Sequence, residues 1–357
     1  MAVTDIAKLR LINQHIAGTV LETPEDMVGW MGAMQAQDYG MAKWGLGVRL
    51  PGSTEYEVEE AINDGRILRT HILRPTWHLV AATDLAWMMN LTGPRIKSGL
   101  NGNNKRLGLT EEDLAKSNKI ISKALAKGEH LTRPELMAVL EGKGINTYDL
   151  RSAHIMYRAE LDGIAVSGVR KGKELTYAHY DSRVPKPNIV QRDEAVGELW
   201  SRYFTSHGPA TLADFVWWSG LTLADARLGL ELNKGKFDSL VIEGQAYYFA
   251  GATSAAKAAR QSVHLLPAFD EYLVSYKDRT ASLHVDHFSK AITNNGIFYP
   301  VLVVNGKVIG SWKRTVKKDK TIVSIELFEA GYATDNAAIA KAVAALGMFS
   351  GQKAELV

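Results

Sequence analysis

Thr132-Arg133-Pro134-Glu135-Leu136-Met137-Ala138-Val139-Leu140-Glu141-Gly142 carries its own start and stop signals for a helix. Thr132 suits the N-cap and Pro134 the first turn, and Glu135 stands where its carboxylate can reach back to the cap. Leu136, Met137, Val139 and Leu140 supply an apolar face, and Gly142 ends the run. A second helix is predicted over about 149–162. It carries Leu150, Ala153, Tyr157 and Leu161 along one stripe and Arg151, His154 and Arg158 along the next. After Gly163 come two short extended runs, Ile164-Ala165-Val166-Ser167 and Leu175-Thr176-Tyr177-Ala178, around Arg170-Lys171-Gly172-Lys173. Helix, turn, helix and basic-tipped hairpin is the order of a winged helix, whose second helix usually enters a DNA major groove while its wing touches phosphates.

The same order is predicted on either side. Downstream, Thr211 caps Leu212 to Trp218 and Thr222 caps Leu223 to Leu232, both with Thr-x-x-Asp spacing, before a hairpin turning at Gly244-Gln245. Upstream, Ile6 to Ala17, Glu25 to Met34 (opened by Thr23-Pro24) and Glu55 to Asp64 read as helices, and Ile67 to Val80 as extended. From Val263 the pattern changes to three strands, with Asn305-Gly306 as a hairpin turn and an alanine-rich closing helix over Asp335 to Phe349. The expected fold is α+β: winged-helix modules at 1–125, 126–190 and 191–260, then a C-terminal β-rich segment at 261–357. A single α/β enzyme fits less well, because no long buried strands alternate with helices.

Length and composition are those of a folded protein of two or three domains, with 357 residues, 46% hydrophobic and 23% charged. No apolar run approaches the roughly 18 residues that a spanning helix needs, and the start has no signal-peptide layout. Cysteine is absent, which excludes disulfides, thiolate metal sites, iron–sulfur clusters and cysteine catalysis. A cytoplasmic, nucleoid-associated protein is expected, with no membrane partner. The net charge is only +3, but it is segregated. Basic blocks lie at 92–107, 165–192 and 307–320, and acid is concentrated in Glu55, Glu57, Glu59, Glu60 and Asp64. Such blocks suit either a polyanion-binding surface or ordinary solubilising charge.

Met34-Gln35-Ala36-Gln37-Asp38 follows the second predicted helix. Two glutamines two apart lie about 200° apart on a helix but point the same way on extended chain. Gly40, Gly45 and Gly47 suit an exit from helix here. Paired amides can hold a water or a base edge, yet they are poor general bases. Taken alone, the motif is a weak signal and reads as a helix C-cap or solvated glutamines.

A wider set of motifs bears on that choice: Gln35-Ala36-Gln37, Arg69-Thr70, Arg74-Pro75-Thr76-Trp77-His78-Leu79-Val80, Leu265-Leu266-Pro267-Ala268-Phe269-Asp270-Glu271-Tyr272-Leu273, Tyr276-Lys277-Asp278-Arg279 and Val308-Ile309-Gly310-Ser311-Trp312-Lys313-Arg314. In these the chain resembles the winged-helix DNA glycosylases typified by the azinomycin-resistance enzyme AlkZ and its relative YcaQ, in order and over nearly its whole length. The resemblance implies catalysis at Gln35 and Gln37, matching the Gln–apolar–Gln form of AlkZ rather than the Gln–apolar–Asp form of YcaQ. It implies a monofunctional, cofactor-free and metal-free enzyme, monomeric, acting on duplex DNA that carries N7- or N3-alkylated purines, crosslinks included. Such adducts are cationic leaving groups, so placing a water near C1′ is most of the work, and amides can do that.

Asp38, Arg74, Thr76 and His78 are candidates to line this site, although His78 equally suits a structural hydrogen bond. Arg151, Arg158, Arg170, Lys171, Lys173, Arg314, Lys317 and Lys318 are candidate DNA contacts. His284-Val285-Asp286-His287 has metal-ligand residue types but no obvious further ligands, so solvated polar side chains are expected there. Trp217-Trp218 is expected in the core. Two rivals stay open: a winged-helix transcription regulator, and a protein that binds DNA damage without cutting.

Overall fold

The computed structural model describes residues 3–189, 191–251, 262–332 and 335–357. One order of elements occurs three times. Helix α1 (Val3–Asn13) leads into α2 (Pro24–Met31), strand β1 (Met34–Gln35), helices α3 (Tyr39–Arg49) and α4 (Glu55–Asn63), and the hairpin of β2 (Ile67–Ile72) and β3 (Thr76–Ala81). The long helix α5 (Ala82–Arg106) crosses to the second pass. This comprises α6 (Glu111–Ala124), β4 (Leu131–Thr132), α7 (Arg133–Glu141), α8 (Arg151–Leu161), β5 (Ala165–Ser167) and β6 (Thr176–His179). The third comprises α9 (Arg192–Ser206), α10 (Leu212–Ser219), α11 (Leu223–Leu232), β7 (Asp238–Ile242) and β8 (Gln245–Phe249). The first two sheets have the orders β1-β3-β2 and β4-β6-β5. In the third the corresponding first strand shrinks to one bridge between Ala210 and Tyr248.

Local chemistry starts these helices. Thr23, Thr54, Thr110, Thr132, Thr211 and Thr222 are N-caps whose side chains accept a main-chain N–H three residues on. All but Thr23 complete a capping box with Glu or Asp. Each cap contributes roughly 0.5–2 kcal/mol.

The remainder is a five-stranded sheet in the order β13-β12-β11-β10-β9. Its strands are β9 (Val263–Leu266), β10 (Val301–Val304), β11 (Lys307–Val316), β12 (Lys320–Leu327) and β13 (Lys353–Leu356), accompanied by the short helices α12 (Glu271–Val274) and α13 (Phe288–Ala291) and by α14 (Asn336–Ser350). Asn305 and Gly306 both take positive φ, 51° and 84°, as a two-residue hairpin of the I′ kind requires. This sheet is not a separate body. Leu265, Trp312, Ile339 and Phe349 share one core with Met27, Trp44, Val58 and Leu79 of the first pass. The doubly hydrogen-bonded Arg49–Asp270 pair, at 2.8 and 2.9 Å, joins the same parts and is buried.

Several expectations change. Gly40, Gly45 and Gly47 do not end a helix; they lie inside α3. Gly47 is small because of packing, since a Cβ there would meet Phe349 at 2.5 Å; one on Gly40 would meet the end of the Arg314 guanidinium at 3.1 Å, and one on Gly45 would make only ordinary contacts from 3.5 Å. Helix α5 runs on to Arg106. Leu109, Leu114 and Ile121 pack with Leu136, Ile155 and Tyr177, so a boundary drawn at 125 cuts through a continuous core. The last hairpin turns at Glu243-Gly244, one residue earlier than expected. Leu150, at the N-cap of α8, is 65% exposed, whereas His154, Ile155, Met156 and Ala159 of the helix are buried. That helix packs against β2 and α5 as well as α6, so more than one face is covered.

Candidate functional site

β1 pairs with β3 so that Gln35 lies opposite His78, and β3 pairs with β2 so that His78 lies opposite Thr70. Directly opposed residues share a sheet face, which puts Gln35, His78 and Thr70 in one row. The ladder continues as the Ala36 N–H donates to the Trp77 carbonyl at 2.7 Å. The chain then bends through Gln37 to Asp38, whose carboxylate caps α3 by accepting the Met41 N–H at 2.9 Å. Asp38 therefore serves the helix start.

The two glutamines sit in different settings. Gln35 is 8% exposed, its main-chain N–H donates to Glu271 at 2.5 Å, and its Oε1 accepts from the Arg74 guanidinium at 3.0 Å. Gln37 is exposed, and among the described residues its amide has no hydrogen-bond partner. Arg69 from β2 holds the residue between them, donating Nε and Nη2 to the Ala36 carbonyl at 3.1 and 2.9 Å.

Glu271 is almost wholly buried behind the motif. Burial would raise its pKa, but hydrogen bonding from His207 and the Ser275 hydroxyl, and the positive charge that His207 and His78 carry once acid protonates them, outweigh this and hold it well below the carboxylate range. It is a fixed negative charge. His78 is also fully buried; burial first, then Arg74, push its pKa down to about 4. It is neutral at pH 7, with Nδ1–H donated to the Thr76 carbonyl at 2.9 Å and Nε2 lacking a partner. The Thr76 hydroxyl is buried without a partner too. Arg74 sits at the β2–β3 turn after Leu73, whose φ is +60°. The turn touches Gly220, where a Cβ would lie 2.5 Å from the Leu73 carbonyl oxygen. A third-pass residue thus sets where a first-pass arginine stands.

Trp217 corrects the sequence reading. Trp218 is core, but Trp217 is 40% exposed, pinned by its indole N–H on the Val274 carbonyl at 2.9 Å. The guanidiniums of Arg74 and Arg279 lie 5.6 and 5.3 Å from its ring. Burial, then Arg74, push the Arg279 pKa down to about 10, so it stays charged at pH 7. Adjacent helical residues point about 100° apart, so spacing alone does not show whether one of the two is left outside.

The charged candidates divide. Arg158 is engaged by Asp162 and Glu111 at 2.5 and 2.7 Å, and Arg151 by the Leu107 and Asn146 carbonyls. Arg170 pairs with Glu59 at 3.1 Å and Lys171 with Glu135 at 3.8 Å. Lys173, Lys317 and Lys318 are exposed, and Arg314 stands beside Gly40 at the start of α3, next to the glutamine motif. The acidic segment is turned to structural use, since Glu59 also binds Lys43 and the Tyr39 hydroxyl. His287 is buried and pairs with Glu329 at 3.0 Å, whereas His284 is exposed. Among the described residues no three His, Asp or Glu side chains are grouped to hold a metal, and no helix is long and apolar enough to cross a membrane.

Arg69, Glu271 and Arg279 stood in the quoted motifs without a site role, and Trp217 was expected in the core. The stretch Leu265 to Leu273 stood out as a motif, yet nothing local shows that its carboxylate meets Gln35.

This fold and this site define a class. The chain belongs to the DNA glycosylase AlkZ-like family, which it matches over residues 28–349. It is 24% identical over 332 residues to the interstrand DNA cross-link repair glycosylase of Streptomyces sahachiroi, covering 85% of each chain. The solved structure of the Streptomyces sahachiroi DNA glycosylase AlkZ has the same fold, with a TM-score of 0.79 and 21% identity over the whole of both chains.

Proposed function

We propose that this protein is a monomeric, monofunctional DNA glycosylase that hydrolyses the N-glycosidic bond of N7- or N3-alkylated purines in duplex DNA, crosslinked ones included. The observation that carries the reading is the contrast within the motif: Gln35 is clamped by Arg74 and Glu271 while Gln37 is open two residues on. Because the Gln35 carbonyl is taken by Arg74, its NH2 is left to donate to a water. The Gln37 carbonyl accepts from the same water and holds it at C1′. As the C1′–N bond breaks, its electron pair neutralises the cationic purine. The water oxygen then bonds to C1′ and its proton goes to solvent. The fixed charge of Glu271 favours the positive sugar that forms on the way. The relative's name supports extending the substrate to interstrand crosslinks.

In this reading the three repeated units are winged-helix modules around the duplex, the second beginning near residue 109. Arg170, Lys171 and Lys173 of its hairpin, with Arg314, Lys317 and Lys318, hold the backbone, and the protein works in the cytoplasm on nucleoid DNA. Free N7-methylguanine released from methylated duplex is the test. Wild-type protein releases it, and Gln35→Ala and Gln37→Ala are each impaired by two orders of magnitude or so. No release by the wild type would favour the regulator or damage-binding readings, and full activity in both variants would displace the site.

A further inference from the structure

A cavity of about 180 Å³ opens between the first and second three-stranded sheets. Tyr39, Arg69 and Trp77 line it from the first unit, and Arg133, Arg170 and Tyr177 from the second. Arg69 ties it to the motif, because the guanidinium that lines the cavity also grips the Ala36 carbonyl. Neither Arg69 nor Arg133 pairs with a carboxylate among the described residues; Arg133 donates to the Ser152 hydroxyl at 3.0 Å, and only Arg170 has an acidic partner. The Trp77 ring already carries the Arg69 guanidinium at 4.0 Å and the tilted His71 ring at 3.8 Å. Three guanidiniums in one recess supply donors and no acceptors. They repel a cationic base and match a phosphate oxygen pair.

We infer that this cavity seats one phosphodiester of the strand carrying the lesion, with its sugar against the edges of Tyr39 and Trp77. Seating that phosphate on Arg69 fixes the backbone one carbonyl away from the two glutamines. The inference rests on the proposed action on duplex DNA and adds where the backbone is held.

The test is a binding measurement on the full chain, using a duplex with a tetrahydrofuran abasic analogue and single phosphates replaced in turn by neutral methylphosphonates. Arg133→Gln is expected to reduce the slope of log affinity against log salt by about 0.9, the change that follows when one phosphate is no longer neutralised. One methylphosphonate position weakens wild-type binding about tenfold, the scale of a charged hydrogen bond, and has no further effect in Arg133→Gln. Arg133→Lys keeps the salt slope. An unchanged thermal midpoint in Arg133→Gln separates a weakened phosphate grip from unfolding. If wild-type protein binds the duplex and releases alkylated base but no position couples to Arg133, this inference fails alone. If wild-type protein does not bind the duplex at low salt, the proposed function fails with it.

Discussion

The Glu271 carboxylate accepts the main-chain N–H of Gln35 at 2.5 Å across 236 residues of sequence. β1 is only two residues long, so its ladder alone holds the motif weakly. The carboxylate is itself held, with the Ser275 hydroxyl donating to its other oxygen and the His207 ring 3.7 Å from it. Gln35 is thereby set from beneath by one chain segment and from the side by another.

Glu271→Gln keeps the shape and removes the charge. A hydrogen bond to a charged group contributes about 1.5–3 kcal/mol, so single-turnover base release should fall roughly 10- to 100-fold. The thermal midpoint should drop as well. A variant with wild-type turnover would show that the carboxylate does nothing for the motif.

The two glutamines should separate in stability. Gln37 is exposed, so Gln37→Ala should change unfolding free energy by less than about 0.5 kcal/mol while abolishing most base release. Gln35→Ala leaves the buried Arg74 guanidinium without its acceptor and should cost about 1–3 kcal/mol besides. Urea unfolding of both variants makes the comparison.

Acid should destabilise the protein through His78. Its folded pKa is about 4, and in the unfolded chain it returns to about 6.5. The unfolded state therefore binds the extra proton as pH falls through that window, and stability declines there, on the order of 3 kcal/mol by pH 4. Glu271 acts later: its depressed pKa contributes stability above the ordinary carboxylate range, which disappears as pH falls below it. Urea midpoints between pH 7.5 and 4.5 should decline for wild type and decline less steeply in His78→Asn, the remainder coming from other buried histidines such as His264, whose pKa burial also pushes down to about 4. A level wild-type profile would contradict the buried neutral imidazole.

Gly220→Ala should both unfold and disarm the protein. The position has φ of +70°, and a Cβ would strike the Leu73 carbonyl oxygen. A cost of about 2 kcal/mol or more is expected from backbone strain and the clash. Because the displaced turn carries Arg74, base release at a temperature where the variant remains folded should also drop.

Arg314, Lys317 and Lys318 changed together to alanine should weaken duplex binding most at low salt. The salt slope should become shallower by about 0.9 for each phosphate that these side chains neutralise, without a change in thermal midpoint. Gln37→Ala, by contrast, should bind with the wild-type slope.

Legibility followed the range of the interaction. Thr132 and Glu135, Thr211 and Asp214, and Asn305 with Gly306 act on atoms within three residues, and each stands where the sequence places it. The glycines of α3 misled for the same reason: locally they weaken a helix, but Gly47 is needed where Phe349 approaches from the far end of the chain. Trp217 and Leu150 were misplaced because periodicity finds an apolar stripe without knowing how many neighbours will cover it.

The sequence by itself determined the helices that open at Thr23, Thr132, Thr211 and Thr222, the helix-helix-hairpin order and the Gln-Ala-Gln motif, since all of these depend on residues a few positions apart, whereas α3, α6 and α9 were not read from it. Only the tertiary structure decided that Gln35 is buried and Gln37 open, that Glu271, Arg74 and Arg69 converge on them, and that Arg151 and Arg158 are engaged inside the fold. The convergence on the motif depends on pairings across 33 to 236 residues, and such a pairing exists only once the intervening chain has packed.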